Sequence, residues 1–242
     1  VSSAAPADAI APLRDATRAA PDFAAGWLLL ADDAGAVGDM DAAYEALEKG
    51  ARASTSATPA QQRRLRAQTA LLDGNAEAAA NEWRAQLRDT PDDTFADLQL
   101  ARALGAGGDL PGAIERLQAL TQRDANDPRA WFELGKFSIL QGQAQRAVDE
   151  HLVRALVLYK RSGNRFGEAE TVNALGIGYN RLGQVDDAEQ QYRAAVELRR
   201  AVGNRRGLAT SLRNLASVLS TRGQYDEAAT TLESARALHA EL

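Results

Sequence analysis

The chain has 242 residues, of which 45% are apolar, 25% charged and only 5% aromatic, enough apolar material for a sizeable folded core. A formal charge of −5 without a concentrated basic stretch argues against a general nucleic-acid binder, and zero cysteines exclude disulfides and thiolate chemistry. No run approaches the roughly 18 apolar residues of a membrane span, and the start Val1-Ser2-Ser3-Ala4 lacks the charged and apolar regions of a signal peptide.

Alanine supplies much of the apolar content, which favours helices that approach one another closely. The first predicted helix covers residues 8 to 19 and ends ahead of Pro21. Six copies of one pattern follow, each a small residue, a glycine seven positions later and an alanine five further on. In chain order they are Ala31, Gly38, Ala43; Ala67, Gly74, Ala79; Ala101, Gly108, Ala113; Gly135, Gly142, Ala147; Gly176, Gly183, Ala188; and Ala216, Gly223, Ala228. Successive glycines are 36, 34, 34, 41 and 40 residues apart. The physical reading is a pair of helices joined at a tight turn, with small side chains where backbones cross and a glycine free to take the left-handed conformation that ends the first helix. Leu30, Leu100, Leu134, Leu175 and Leu215 precede the first small position and fill the space between units. Such a unit cannot bury its apolar face alone, so neighbours must stack.

Ala9 lies 34 residues ahead of Ala43, so residues 8–22 form half a unit, a second helix without its first. Full units are expected at 24–58, 59–92, 93–127, 128–168, 169–208 and 209–242, all within one domain spanning 1–242. Thr58-Pro59, Thr90-Pro91 and Asp127-Pro128 each pair an N-cap residue with proline at the first helical position, marking starts of first helices. In the last two intervals the additional six or seven residues are expected to lengthen the second helix by about two turns, ending at Gly163-Asn164-Arg165 and Gly203-Asn204-Arg205.

The segment Trp131-Phe132-Glu133-Leu134-Gly135 with Ala147 resembles the W-x2-L-G…A signature of tetratricopeptide (TPR) repeats, and Val172, Leu175, Gly176, Tyr179, Ala188 and Tyr192 match it in the next copy. Arg66 in place of leucine, and Ser138 and His151 in place of aromatics, depart from the pattern. The resemblance implies an all-α, right-handed superhelical solenoid of antiparallel helix pairs, about six repeats plus the N-terminal half repeat. A looser resemblance links Trp83 to Leu120, with Pro91-Asp92-Asp93 and Leu98-x-Leu100-Ala101-Arg102-Ala103-Leu104, to TPR regions of bacterial Ser/Thr kinase or winged-helix signalling proteins. It implies a kinase or winged-helix domain upstream of Val1 and favours the bacterial periplasm, with the cytoplasm as alternative.

No catalytic constellation is visible, and neither a metal nor a cofactor is expected. His151 falls at an aromatic packing position and reads as a core histidine, while His239 lies near the C-terminus. The two Gly-Asn-Arg-x-Gly loops lack the lysine and Ser/Thr of a P-loop and read as turns. Asp92-Asp93 and Asp186-Asp187 read as helix-start acids, not as acid and base.

Binding of a protein or peptide is therefore the expected role, with regulation of an attached signalling domain as the alternative. Groove positions implied by the resemblance carry Arg64, Arg102, Arg129, Lys136, Arg181 and Arg213 against Asp32, Glu133 and Glu170, a balance of 6 − 3 = +3. Asn173, Asn180, Asn214 and Ser217 add groups suited to an extended backbone, and Asn173 and Asn214 resemble the groove asparagines of kinesin light chains and bacterial peptide-sensing regulators. The expected partner-binding set is Arg102, Lys136, Asn173, Asn180, Arg181, Arg213, Asn214 and Ser217, receiving an acidic or carboxylate-bearing segment. The five-residue carboxylate clamp of chaperone-binding TPR domains is not reproduced. A homodimer contact is expected at the C-terminal face around Leu232, Ala235 and Leu238.

Overall fold

In the computed structural model, residues 6–37, 39–53 and 57–240 are described, and among them the only regular secondary structure is helical. They divide into two compact units, Pro6–Arg123 and residues from Asp124 onward.

The first unit contains α1 (Pro6–Ala19), α2 (Ala24–Val37), α3 (Met40–Arg52), α4 (Pro59–Leu72), α5 (Ala76–Asp89), α6 (Thr94–Ala106) and α7 (Leu110–Arg123). Each helix packs on its neighbour in the chain, and the first helices α2 and α4 also touch. The second unit opens with α8 (Pro128–Leu140), then a helix in three parts: α9 (Ala144–Arg146), a π-helical segment (Ala147–His151) and α10 (Leu152–Arg161). It continues through α11 (Arg165–Arg181), α12 (Val185–Ala201), α13 (Arg205–Thr221) and α14 (Tyr225–Ala240). Here α8 touches α11, and α11 touches α13.

The small positions are where the helices cross. Ala67, Ala79, Ala101, Ala113, Ala147 and Ala188 are fully buried. A Cβ on Gly135 would sit 2.5 Å from Leu152 and one on Gly176 would sit 2.6 Å from Tyr192, so those crossings admit hydrogen alone. Five of the six turn glycines, Gly74, Gly108, Gly142, Gly183 and Gly223, have φ between 73° and 89°, as expected for left-handed helix ends; Gly38 lies outside the described residues. The following residues cap the next helix. Asn75 accepts from the Ala78 amide and Asp109 from the Gly112 amide, both at 3.0 Å, satisfying N–H groups that have no partner within the helix.

Three expectations are corrected. Thr58-Pro59 and Asp127-Pro128 do start helices, but Thr90 ends α5, its hydroxyl donating back to the Gln86 carbonyl, and Pro91 lies in the turn. Asp93 caps α6 instead, accepting from the Ala96 amide at 2.9 Å; the acidic side chain three residues on outcompetes the threonine. The additional residues of the last intervals are shared by both helices of a pair. First helices grow from 13 residues in α8 to 17 in α11 and α13, and second helices from 14 in α7 to 17 in α12. The reason is the Asn cap: Asn164 and Asn204 accept from the amides of Gly167 and Gly207 at 2.8 Å, so first helices begin at Arg165 and Arg205, ahead of the expected 169 and 209. These loops are turns, as their position implies.

His151 is buried at 2% exposure, and its Nδ1 lies 3.2 Å from the Ser138 hydroxyl. The two departures from the aromatic pattern are thus one compensated pair, a hydrogen bond in place of a ring contact. Burial, with Arg146 adding to it, holds the His151 pKa below the usual histidine value of 6.5, against the opposing charge of Glu150. The unfolded chain then takes up a proton before the folded one, so the histidine costs stability as pH falls below about 6.5. Thermal melts at pH 7.5 and 5.0 are expected to show a smaller acid-induced drop in Tm for His151→Phe than for the parent; equal drops would contradict this account.

Candidate functional site

The first helices of the second unit carry most of the sequence-derived site. Asn173, Asn180 and Arg181 lie on α11, and Arg213, Asn214 and Ser217 on the adjacent α13. Their environments differ sharply. Asn173 is 6% exposed, Asn214 half-buried, and Asn180, Arg181, Arg213 and Ser217 exposed. Asn214 Nδ2 donates to Asn173 Oδ1 at 3.4 Å, and Ser211 Oγ donates to the same oxygen at 2.9 Å. The structure therefore joins the two asparagines into one element. Ser217 stands apart from that pair and lines, with Arg213, Tyr225 and Leu232, a shallow cavity of about 370 Å³ on α13 and α14.

Pairing changes which of the charges expected at groove positions are free. On α8, Lys136 Nζ is 2.9 Å from Glu133 Oε2 and lies over the Phe132 ring at 5.1 Å, so this cation is largely committed. Arg129 is bound by Asp127, its Nε and Nη2 donating to the two carboxylate oxygens at 3.0 and 2.9 Å. Glu170 is engaged by Arg199 Nη2 at 2.8 Å and by Asn204 Nδ2 at 3.2 Å. What remains is Arg181 and Arg213, two exposed guanidiniums that form no ion pair among the described residues. The Arg181 charge also acts on Tyr192, whose hydroxyl is nevertheless pushed up to about 12 by burial.

In the first unit the corresponding cation is paired internally. Arg64 pairs with Asp32 and stacks over Phe95 at 4.4 Å, and Gln68 also donates to Asp32. Burial nevertheless raises the Asp32 pKa, against the attraction of Arg64 and Arg102. Arg102 is half-buried and its charge is turned to this internal carboxylate. Arg102 belongs to the first unit and the asparagine pair to the second.

Two residues central to the site were not among those expected from sequence, Ser211 and Arg199. Their polar atoms meet partners on other helices, so position within their own helix does not reveal them. One trace exists: 40 residues before Arg199 stands Tyr159, a break between two otherwise similar copies. At the C-terminal face Ala235 is buried and Leu238 packs on the core around Leu215 and Leu219, leaving Leu232 at the cavity. Among the described residues there is no group of three or more His, Asp and Glu placed to hold a metal ion, and no helix long and apolar enough to cross a membrane.

Two tetratricopeptide repeat profiles match the chain, one over residues 98–164 and one over 167–241. No curated sequence matches. Among solved structures, the chain is similar to MamA (TM-score 0.57, 20% identity, 72% of this chain and 95% of that one). It is similar to the chain in the anaphase-promoting complex hetero-tetramer Cut9-Hcn1 at TM-score 0.71 and 21% identity, covering 93% of this chain and 42% of that one. A putative kinesin light chain with nearly identical TPR-like repeats from Podosopora anserina gives TM-score 0.59 and 23% identity, covering 76% of this chain and 97% of that one. At these identities the likeness is one of fold.

Proposed function

Because the chain belongs to the tetratricopeptide repeat superfamily, a family of stacked helix pairs with extended faces for partners, we propose that it is a protein-binding scaffold whose second unit receives an acidic segment of a partner along α11 and α13. The observation that carries this reading is the pair of exposed guanidiniums at Arg181 and Arg213, without ion pairs among the described residues, on the same two helices as the linked asparagines Asn173 and Asn214. Guanidinium groups grip carboxylates bidentately, and amides satisfy the N–H and C=O groups of an extended chain. Lys136 and Asn180 extend the same set, Lys136 with part of its charge spent on Glu133. Arg102 and Ser217 belong to the periphery of the reading, Arg102 because its charge serves Asp32.

The test is fluorescence anisotropy with a labelled eight-residue alternating Glu-Gly peptide against its Lys-Gly counterpart. The acidic peptide is expected to bind and to lose affinity as salt is raised, since exposed charges are screened within about 10 Å at 0.1 M. Equal binding of the two peptides, or affinity indifferent to salt, would refute the acidic-ligand assignment.

A further inference from the structure

Two successive junctions of the second unit are built from corresponding positions 40 residues apart, and they differ at one decisive place. Asn164 corresponds to Asn204, Gly167 to Gly207, Thr171 to Ser211, and Tyr159 to Arg199. At the first junction the Tyr159 ring occupies the space that a Cβ on Gly167 would need, 2.3 Å from its nearest carbon. The Thr171 hydroxyl there donates within its own helix to the Gly167 carbonyl at 2.7 Å.

At the second junction the guanidinium of Arg199, 3% exposed, replaces the ring. Its Nη1 donates to the Gly207 carbonyl at 2.6 Å and to Ser211 Oγ at 2.9 Å, while Nη2 donates to Glu170. Arginine now engages the carbonyl that corresponds to the one Thr171 uses. A guanidinium only donates, so the Ser211 oxygen accepts, and its one hydrogen turns outward to Asn173 Oδ1 at 2.9 Å. With that oxygen held by Ser211 and by Asn214, Asn173 can present only its NH₂ to the groove. The direction of every hydrogen bond in this chain follows from the first donor.

We propose that Arg199 is the positioning residue that sets the polarity of the Asn173 amide: it redirects Ser211, fixes the Asn173 oxygen inward, and makes Asn173 present its NH₂ toward a carbonyl or carboxylate oxygen of an extended peptide. What occupies the surface rests on the peptide-binding reading; the orientation of the amide does not.

The replacement Arg199→Tyr restores the residue of the preceding junction, and Gly207, like Gly167, has no Cβ to obstruct a ring. Ser211 is then expected to fall back on the Gly207 carbonyl, as Thr171 does on that of Gly167, and Asn173 loses its fixed orientation. The Asn173 side-chain NH₂ resonances in a ¹⁵N–¹H spectrum, identified by their loss in Asn173→Ala, are expected to shift in Arg199→Tyr and in Ser211→Ala. Ser211→Thr, which keeps the hydroxyl, should leave them in place. Affinity for the Glu-Gly peptide should fall about tenfold in the first two variants. Ser211→Ala removes a single hydroxyl and keeps the test open should Arg199→Tyr not fold. Unmoved Asn173 resonances in Ser211→Ala and in folded Arg199→Tyr overturn the proposal. Resonances that shift while peptide affinity stays unchanged overturn the selectivity it assigns. A parent protein that ignores the peptide refutes the peptide-binding reading instead, and the resonances still decide the role of Arg199.

Discussion

Reversing both unpaired cations, Arg181→Glu with Arg213→Glu, is expected to weaken binding of the acidic peptide about 30-fold, on the order of 2 kcal/mol, because attraction at two exposed charges gives way to repulsion. The effect should be confined to binding. Both side chains are exposed and neither forms an ion pair among the described residues, so their replacement leaves no buried partner unsatisfied. The far-ultraviolet helical signal and Tm should stay close to those of the parent. The control is Lys160→Glu with Arg200→Glu, which changes net charge equally at exposed positions of the second helices α10 and α12. If that control weakens binding as much, the attraction belongs to overall charge; if neither pair matters, the partner lies elsewhere.

The second large effect concerns two helical glycines and has opposite signs at the two sites. Gly35 lies in α2, and a Cβ built there meets nothing within 4 Å. Alanine at that position removes a flexible residue from a helix at no steric cost, and Gly35→Ala is expected to stabilise by about 0.5–1 kcal/mol. Gly176 lies in α11 at the crossing with α12, where a Cβ would sit 2.6 and 2.7 Å from two carbons of the Tyr192 ring. That ring is 2% exposed, so it cannot swing into solvent. Gly176→Ala must push the helices apart, and the gain in helix propensity is outweighed by an overpacking cost of about 1–3 kcal/mol. Denaturant or thermal unfolding followed by circular dichroism measures both. A stabilised Gly176→Ala protein would show that the crossing has room to spare and that its glycine answers to no packing need.

These two glycines also mark how far the amino-acid order reaches by itself. The recurring small residue, glycine and alanine determine the helix pairs, because a left-handed helix end and a close backbone crossing are demands met within a few residues of chain. Gly74, Gly108, Gly142, Gly183 and Gly223 all adopt the conformation that this frame requires. The N-caps were legible where the residue before proline also stands directly before the helix, as at Thr58 and Asp127, and misleading at Thr90, where Asp93, three residues on, takes the role. The groove positions on α11 and α13 came from the resemblance to TPR repeats, and the structure puts Asn173, Asn180, Arg181, Arg213, Asn214 and Ser217 on those two first helices. Sequence could not say which of the charges at groove positions are already spent. That Glu133 holds Lys136, that Asp32 draws Arg64, that Ser138 answers His151, and that Arg199 reaches through Ser211 to Asn173 depend on side chains brought into contact by folding, most of them from different helices. Local backbone demands are written along the chain, whereas the direction of a hydrogen bond or the freedom of a charge depends on what folding places beside it, and only the tertiary structure decides that.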